Sequence, residues 1–366
     1  MVLLCIQLLL WGRHVAAPSL TPPTCHAPAA FFSRRGRIAA RRILAGPALG
    51  LLLAASFALG AGLAALEDSP PLLGRMARGS GLRELPGAAP SGPTSLLGSP
   101  AAFGCRVPLR RDAALEHSLS QLACQPALRV GVFVCEPLSG RVASVDGERS
   151  FPAASTIKVP IAVELLRRAD RGEIQLEEKL ALRAEHIASG SGSLQYLPPG
   201  TVFTIRRLAE LMIRRSDNTA TNMIIARLGG ADPLNRSFLD LGLRRTRLRR
   251  LLPDMEGRNR TSPGDLVSLL SRVSTGSLLS PGSREILLGW MRRSRVKSLL
   301  PAGLGSGALC YNKTGDIPGA LGDAGLVVLP GGRRYVAAVQ VERPRNSTRA
   351  GAVIRQISRA AYVRLL

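Results

Sequence analysis

From residue 112 to the C-terminus, predicted strands stand at both ends of the sequence and predicted helices fill the middle. Apolar residues recur at helical spacing over residues 112–125, and the apolar run that follows over 128–136 predicts a buried strand. A turn over 137–140 leads into a second strand over 141–145, so these two strands form a hairpin.

Later elements of this region repeat the two patterns in separate blocks. Five helices are predicted over residues 156–171, 205–215, 220–228, 263–273 and 283–294. Three strands and a last helix are predicted over residues 308–313, 324–329, 335–341 and 349–366. This order predicts an α+β fold in which both ends of the region share one sheet, with a cleft where the helical part meets it.

The chain is strongly basic, with a formal net charge of +24. Four of its 49 basic residues are lysine, namely Lys158, Lys179, Lys297 and Lys313, and the rest are arginine. So uneven a ratio is typical of a genome-wide preference for arginine codons. No zinc-finger spacing, RNA-binding aromatic signature or dense basic run accompanies the charge, so we expect no nucleic-acid partner. An anionic wall polymer or membrane surface is compatible with it.

Residues 43–66, from Ile43 to Leu66, form an apolar stretch without a charged residue, long enough to cross a bilayer as a helix. The basic segment 1–42 precedes it, and Glu67 and Asp68 follow it. By the positive-inside rule, everything after Leu66 then lies outside the cytoplasm. The stretch is either a signal anchor in the inner membrane or a cleaved signal peptide, and its length favours the anchor.

Residues 67–109 are rich in Pro, Gly, Ser and Ala and show no sustained periodicity, which predicts a flexible linker. The predicted organisation is therefore an exported catalytic domain over residues 110–366, monomeric, in the periplasm or another extracytoplasmic space.

Cysteines leave two possibilities open. Cys105 and Cys124 flank the first predicted helix and could form a disulfide in an oxidising compartment. Alternatively they are small buried apolar residues, like Cys135 and Cys310. No group of cysteines and histidines has the spacing of a metal site, so we expect no metal and no other cofactor.

Three short motifs occur in one order along the domain. Ser155 to Lys158 matches S-x-x-K, Ser216 to Asn218 reads S-D-N, and Lys313 to Gly315 reads K-T-G. A single S-x-x-K arises easily by chance in a chain of this length, whereas the ordered set of three is specific. The first motif opens a predicted helix, the second separates two helices, and the third ends a strand.

The first motif carries its own chemical argument. A serine hydroxyl is a weak nucleophile until a base takes its proton, and one helical turn brings Lys158 within reach of Ser155. Lysine acts as a base only if its pKa falls well below about 10.4, and burial and nearby cations can lower it that far. Arginine does not lose its proton in proteins, so it cannot take this role. Two of the four lysines lie in these motifs, which indicates that amine chemistry matters at Lys158 and Lys313. The competing interpretation, a capped helix with a surface lysine, explains only one motif.

From about residue 112 onward the chain resembles the class A β-lactamase family. Besides the three motifs, the resemblance includes Phe151-Pro152-Ala153-Ala154 before the nucleophile and Asp323-Ala324-Gly325 after K-T-G. It implies a β-lactamase/transpeptidase-like fold, with a five-stranded antiparallel sheet flanked by helices and an all-helical subdomain.

The resemblance also implies a role for each motif residue. Ser155 would be acylated with Lys158 at its side, Ser216 would pass a proton to the leaving nitrogen, and Asn218 would bind Lys158 and the substrate amide. Substrate binding would further involve Lys313, Thr314, Gly315 and Asp316. Of these, the first two would hold the substrate carboxylate, and the N–H groups of Ser155 and Asp316 would form the oxyanion hole.

Two departures from the family stand out. Its deacylating glutamate lies in a segment that reads roughly R-L-D-R-W-E-P-E-L-N, whereas residues 247–256 read R-L-R-R-L-L-P-D-M-E and the loop after them is short. An ungapped alignment places Leu252 at the glutamate's position, so Glu256, preferred for its reach, or Asp254 is the candidate base. Asp316 replaces a small residue, and its charge would weaken the binding of a carboxylate.

The function expected from this reasoning is opening of β-lactam amides through an acyl-enzyme on Ser155, as in class A enzymes. The alternatives are D,D-peptidase-like acyl transfer on cell-wall peptides and a non-hydrolytic penicillin-binding or sensor domain. A shortened loop argues against efficient hydrolysis and leaves acylation possible. The expected partner is a β-lactam or a wall peptide.

Overall fold

The computed structural model describes residues 99–366. The predicted basic segment, the apolar stretch and most of the predicted linker lie outside the described residues. Within 99–366, no helix is both long enough and apolar enough to span a membrane.

Eight α-helices are present in the described part of the chain. They are α1 (Ala113–Ala123), α2 (Lys158–Asp170), α3 (Ile205–Arg214), α4 (Asn218–Arg227), α5 (Ala231–Asp240), α6 (Pro263–Thr275), α7 (Pro281–Arg292) and α8 (Arg349–Leu365). The strands there are β1 (Arg110–Arg111), β2 (Arg129–Glu136), β3 (Arg141–Val145), β4 (Phe151–Pro152), β5 (Lys179–Ala181), β6 (Val202–Thr204), β7 (Arg260–Thr261), β8 (Leu309–Ile317), β9 (Ala320–Val328) and β10 (Arg334–Glu342).

One sheet carries the domain, with the strand order β1-β3-β2-β10-β9-β8. All neighbours from β3 to β8 are antiparallel, and β10 pairs with β2 so that Val339 lies opposite Val132. The two-residue β1 adds a short parallel edge beside β3. The predicted α+β class and antiparallel sheet, shared by the first and last strands, are thus confirmed, with β1 as a sixth strand.

Alternating side chains along the strands feed two apolar layers. On β2, Val132 and Val134 pack with α1 and α8 on one face, whereas Phe133 and Cys135 join the helical part on the other. Burying one such aliphatic or aromatic side chain stabilises the fold by about 1.5–3 kcal/mol. The core therefore lies on both faces of the sheet, and the helices between β3 and β8 cover the face on which the cleft forms.

The two ends of the domain meet at an ion-pair cluster. Asp112 caps α1 by accepting a hydrogen bond from the N–H of Leu115 at 3.1 Å. Its carboxylate also accepts from Arg141 at 2.5 Å and from Nε of Arg364 at 3.0 Å. Because Arg364 lies in the last turn of α8, this cluster joins the first helix to the last.

Helix α5 was not predicted from the sequence. Gly229, Gly230 and Pro233 resemble the residues of a loop, yet Gly230 is the N-cap of α5 and Pro233 lies in its first turn, where a missing N–H costs little. Leu234 and Phe238 then bury completely on the inner side of the helix.

Residues 99–109 of the predicted linker, 67–109, lie within the described part of the chain. A 3-10 turn over Pro100–Phe103 docks on the domain, because Phe103 is buried and stacks on Phe133 with ring centroids 5.0 Å apart. Of the two possibilities left open for Cys105, the structure shows the second, because Cys105 is a buried free thiol that interacts with Cys135.

Candidate active site

Ser155 lies in a 3-10 turn, Ala154–Ile157, that continues directly into α2. The residue before it, Ala154, has a φ of +44°, a left-handed conformation that costs a non-glycine residue on the order of 1 kcal/mol. The turn is held in place by Thr156, whose hydroxyl donates to the carbonyl of Ala153 at 2.6 Å and accepts from Gln340 of β10 at 3.2 Å. Ser155 is therefore fixed against the sheet at the start of a helix.

Lys158, one turn further along, is fully buried and lies at the centre of a polar network. Its Nζ is 3.1 Å from Oγ of Ser155, 2.6 Å from the carbonyl oxygen of Ser216 and 2.8 Å from Oδ1 of Asn218. Burial lowers the pKa of this amine well below its usual value, the charge of Lys313 lowers it further, and Asp217 opposes the shift. The amine next to Ser155 is thus one that gives up its proton readily.

Ser216 stands between the two lysines. Its Oγ is 3.1 Å from Nζ of Lys158 and 3.1 Å from Nζ of Lys313. The residue has a φ of +57°, so its backbone also occupies the left-handed region. A single hydroxyl therefore links the nitrogen atoms of the S-x-x-K and K-T-G motifs, and strained backbone aims it there.

Asp217 and Asn218 attach the S-D-N motif to a neighbouring loop. The carboxylate of Asp217 caps α4 and accepts from the N–H groups of Ser193 and Leu194 at 2.8 and 3.0 Å. Nδ2 of Asn218 donates to the carbonyl of Ser189 at 2.9 Å. A side chain at Gly192, which has a φ of +103°, would collide with Asp217, so this approach requires glycine.

The K-T-G motif lies within β8 and not at its end as predicted, because β8 continues to Ile317. Lys313 is buried, which lowers its pKa to about 8 against the opposing charge of Asp323. Burial raises the pKa of Asp323 to about 7, although Asn312 and the N–H of Leu300 donate to its carboxylate. Lys313 is thus a cation near neutral pH that loses its charge in mildly alkaline solution.

Gly315 brings β8 against the turn that carries Ser155. A Cβ atom at this glycine would lie 2.9 Å from the backbone nitrogen of Ser155 and 2.9 Å from the carbonyl oxygen of Ala153. Any side chain would therefore occupy the space in front of the Ser155 N–H. The close contact between β8 and the turn of Ser155 explains why this position of the motif is glycine.

Asp316 is exposed, and its carboxylate forms an ion pair with Arg343, whose side chain is only 6% exposed. Arg343 also donates to the carbonyl oxygens of Ile317 at 3.1 Å and Ser347 at 3.2 Å. The extra acid that the sequence places beside the carboxylate-binding motif is therefore neutralised by a buried cation. The sequence did not reveal Arg343, because no motif links Asp316 to the residue that directly follows β10.

The shortened loop is a closed structure of its own. The carboxamide of Asn222 accepts from the N–H of Leu252 at 2.9 Å and donates to its carbonyl at 2.8 Å, and Leu252 is buried. Asp254 is also buried, and it accepts from the N–H groups of Arg258 and Asn259 at 3.0 and 2.7 Å.

Glu256 takes no part in the network around Ser155. Its side chain is 58% exposed and pairs with Arg258 at 2.6 Å and Arg250 at 3.6 Å. Of the predicted catalytic residues, the structure brings together Ser155, Lys158 and Ser216, with Asn218 and Lys313 around them. Glu256 lies on the surface, and the carboxylate of Asp254 is hydrogen-bonded to backbone N–H groups of its own loop.

Comparison with known proteins places this geometry in context. A family model described as the β-lactamase enzyme family matches residues 114–365. A curated relative from Streptomyces fradiae, named β-lactamase, is 32% identical over 244 residues, which cover 64% of this chain and 80% of that protein. A β-lactamase structure from Sphaerobacter thermophilus is 30% identical with a TM-score of 0.61, covering 68% of this chain and 95% of the other.

A higher identity is found with a protein described as PBP-A. Its solved structure is 46% identical with a TM-score of 0.69, covering 71% of this chain and 98% of that one. A second structure shows a leucine-to-glutamate variant of PBP-A as an acyl-enzyme complex with penicillin G.

Proposed function

Since the chain belongs to the β-lactamase enzyme family, we propose that it opens β-lactam amides by forming an acyl-enzyme on Ser155. The observation that carries the proposal is the 3.1 Å separation between Oγ of Ser155 and Nζ of Lys158, a buried amine with a lowered pKa. A weak nucleophile and a base are thereby adjacent, with no histidine required.

In the proposed acylation, Nζ of Lys158 takes the hydroxyl proton while Oγ of Ser155 attacks the carbonyl carbon. The negative charge that develops on the carbonyl oxygen is stabilised by the N–H groups of Ser155 and Asp316. Ser216 then donates a proton to the lactam nitrogen as the C–N bond breaks, and it recovers one from the lysine pair through its 3.1 Å contacts. The product is an ester on Ser155 with an opened ring.

Substrate orientation is assigned to the other motif residues. Lys313 and Thr314 bind the carboxylate shared by β-lactams and wall peptides, beside the backbone of Gly315, and Asn218 holds both Lys158 and the substrate amide. Because Arg343 neutralises Asp316, the acid beside this site does not repel the substrate carboxylate. Lys313 must be protonated for this role, and its pKa of about 8 allows it at neutral pH.

Hydrolysis of the ester is proposed to be slow. A general base must lie within hydrogen-bond reach of its water, or be linked to it through one other water. Leu252 offers no base, Asp254 is occupied by backbone N–H groups, and Glu256 is exposed between two arginines.

This gap favours a second candidate function, acyl transfer on cell-wall peptides. In that reaction the same ester on Ser155 passes to an amine or to water, and a long-lived β-lactam ester would be an inhibited state. The leucine-to-glutamate variant of PBP-A, whose parent is 46% identical to this chain, is described as an acyl-enzyme with penicillin G, which supports the shared acylation step. A non-hydrolytic sensor is the limiting case in which the ester persists.

We also propose that the domain acts outside the cytoplasm as a monomer, attached to the inner membrane through residues 43–66. The apolar stretch and the arginines before it support this proposal. Alkaline phosphatase fused after residue 99 should be active in cells, whereas an inactive fusion would contradict export.

The deciding experiment mixes the full chain with a chromogenic β-lactam and follows colour and intact mass together. A rapid stoichiometric burst with a slowly decaying adduct, absent in Ser155→Ala, is the expected result. Rapid sustained turnover without a detectable adduct would contradict slow deacylation. Absence of both adduct and turnover would contradict acylation itself.

A further inference from the structure

We propose that four arginines beside Ser216 form an anion-binding cleft, and that this cleft receives a second negatively charged group on the leaving-group side of the substrate. The inference rests on the proposed acylation of Ser155. It adds a substrate preference: acyl donors whose leaving part carries an oxyanion beyond the carboxylate held by Lys313.

The cleft has a volume of about 330 Å³ and is lined by Arg214, Arg215, Arg293 and Arg295. Two segments build it, one at the end of α3 and one just after α7. They are joined by a hydrogen bond from the N–H of Arg295 to the carbonyl of Arg214 at 3.0 Å. The arginines therefore come from two parts of the chain that the fold brings together.

Both segments lead directly into the proposed active site. Arg215 precedes Ser216, whose Oγ lies 3.1 Å from Nζ of Lys313. Two residues after Arg295, Lys297 donates to Oδ1 of Asn312 at 2.9 Å, next to Lys313 in β8. From this adjacency along the chain we place the cleft on the side where Ser216 would protonate the leaving nitrogen and Lys313 would hold the carboxylate. A group entering it belongs to the leaving part of the substrate.

The positive charge of the cleft is poorly compensated. Among the ion pairs of residues 99–366, only Arg214 of the four has a carboxylate partner, Glu210 at 2.5 Å. Nε of Arg214 is buried and has no hydrogen-bond partner within that part of the chain. Arg215, Arg293 and Arg295 are exposed, and arginine cannot relieve mutual repulsion by losing its proton, so a bound anion would lower the repulsion among these groups.

Basic residues outnumber acidic ones 49 to 25, so other arginines of residues 99–366, such as Arg236 and Arg349, also lack a carboxylate partner, but codon preference does not place four of them around one cleft. On the same helical part, Arg227 pairs with Glu178 at 2.7 Å and Arg206 pairs with Glu177 at 2.5 Å. The guanidinium group presents a planar fork of donors that suits carboxylate, sulfonate or phosphate oxygens. The cleft is therefore matched to an oxyanion by charge and by donor geometry.

The test uses two cephalosporins that share a mandelamido side chain and differ in the leaving-side tetrazole, which carries methyl in cefamandole and sulfomethyl in cefonicid. Acylation of Ser155 in the full chain is followed by intact mass at low salt. We expect cefonicid to react about three to ten times faster than cefamandole, because several cations act on one added charge. In Arg293→Gln/Arg295→Gln the ratio should fall towards one. In the matched control Arg236→Gln/Arg349→Gln, which removes two charges from α5 and α8, the ratio should persist.

A ratio near one in the unmodified chain would overturn the proposal, and so would a raised ratio that survives in Arg293→Gln/Arg295→Gln. If neither compound forms an adduct, the acylation proposal fails, and phosphate binding then decides about the cleft. Inorganic phosphate should raise the Tm of the unmodified chain more than that of the double variant. Equal shifts would count against an anion site.

Discussion

The carboxamide of Asn222 bonds both main-chain groups of Leu252, the N–H at 2.9 Å and the carbonyl at 2.8 Å. This pair pins the loop after α5 to α4, the helix that begins at Asn218 of the candidate site. The backbone at position 252 is therefore held in one place. Whether this residue can act as a general base then depends on the chemistry of its side chain.

Leu252→Glu is predicted to convert slow deacylation into turnover. A glutamate at this anchored position supplies a general base, and such groups contribute about 10²–10⁴-fold, so turnover of a chromogenic β-lactam should rise about tenfold or more. The measurement is steady-state hydrolysis together with the lifetime of the ester. Leu251→Glu, at the exposed neighbouring position, is the matched control and should change neither. An ester of unchanged lifetime in Leu252→Glu would place position 252 out of reach of the acyl group.

Lys158→Arg is predicted to abolish rapid acylation while preserving positive charge. Arginine cannot act as a base, so the acylation rate constant should fall about 10²-fold or more. Because the larger group must fit a buried site, Lys158→Met is measured beside it, with circular dichroism to establish folding. Lys179→Arg, on the exposed edge of β5, should acylate normally. Retention of the rate within threefold in Lys158→Arg would argue against an amine base.

Acylation is predicted to decline as pH rises through about 8. Lys313 is protonated below its pKa of about 8 and neutral above it, so the cation that binds the substrate carboxylate is lost on the alkaline side. The second-order acylation rate constant should be measured from pH 6 to 10. Lys313→Arg stays charged across this range, so its alkaline decline should vanish even if its overall rate is lower. An identical decline in both proteins would assign it to another group.

The sequence predicted the elements that local pattern determines. Apolar runs and the turn between them located β2, β3 and β10 to within a residue or two, and the three motifs identified the side chains that meet around Lys158. Features that depend on contacts between distant segments were missed or misplaced. Arg343 reaches Asp316 only because β10 ends beside the turn between β8 and β9, where the N–H of Arg343 donates to the carbonyl of Gly319 at 2.9 Å. Phe103 docks only because Phe133 presents a face to it. Glu256 was misplaced for the same reason: it pairs with Arg250 and Arg258, and its distance from Ser155 along the sequence does not reveal those ion pairs.

Acid should weaken the domain partly through Asp112. Burial alone would raise the pKa of this carboxyl, but hydrogen bonds from Arg364, Arg141 and the N–H of Leu115 outweigh it and lower the pKa to about 2. A depressed pKa stabilises the fold above the ordinary value near 4, and that contribution is lost as pH falls from about 4 towards 2.

Asp112→Asn is therefore expected to lower the free energy of unfolding by about 1–2 kcal/mol at pH 7, after allowing for the partial exposure of its arginine partners. Urea unfolding at pH 7 and pH 3 provides the measurement, and the difference between the two proteins should shrink at the lower pH. Glu177→Gln, which removes an exposed pair with Arg206, should have little effect at either pH. An equal loss in both variants would show that the cluster is no stronger than a surface pair.

The bond between Asp112 and Arg364 has a topological consequence. Since α1 and α8 lie side by side, residues 112 and 364 meet at one place, on the face of the sheet opposite the helices between β3 and β8. Such a domain can be joined end to end by a short connection, reopened at a distant turn, or inserted whole into a loop of another protein.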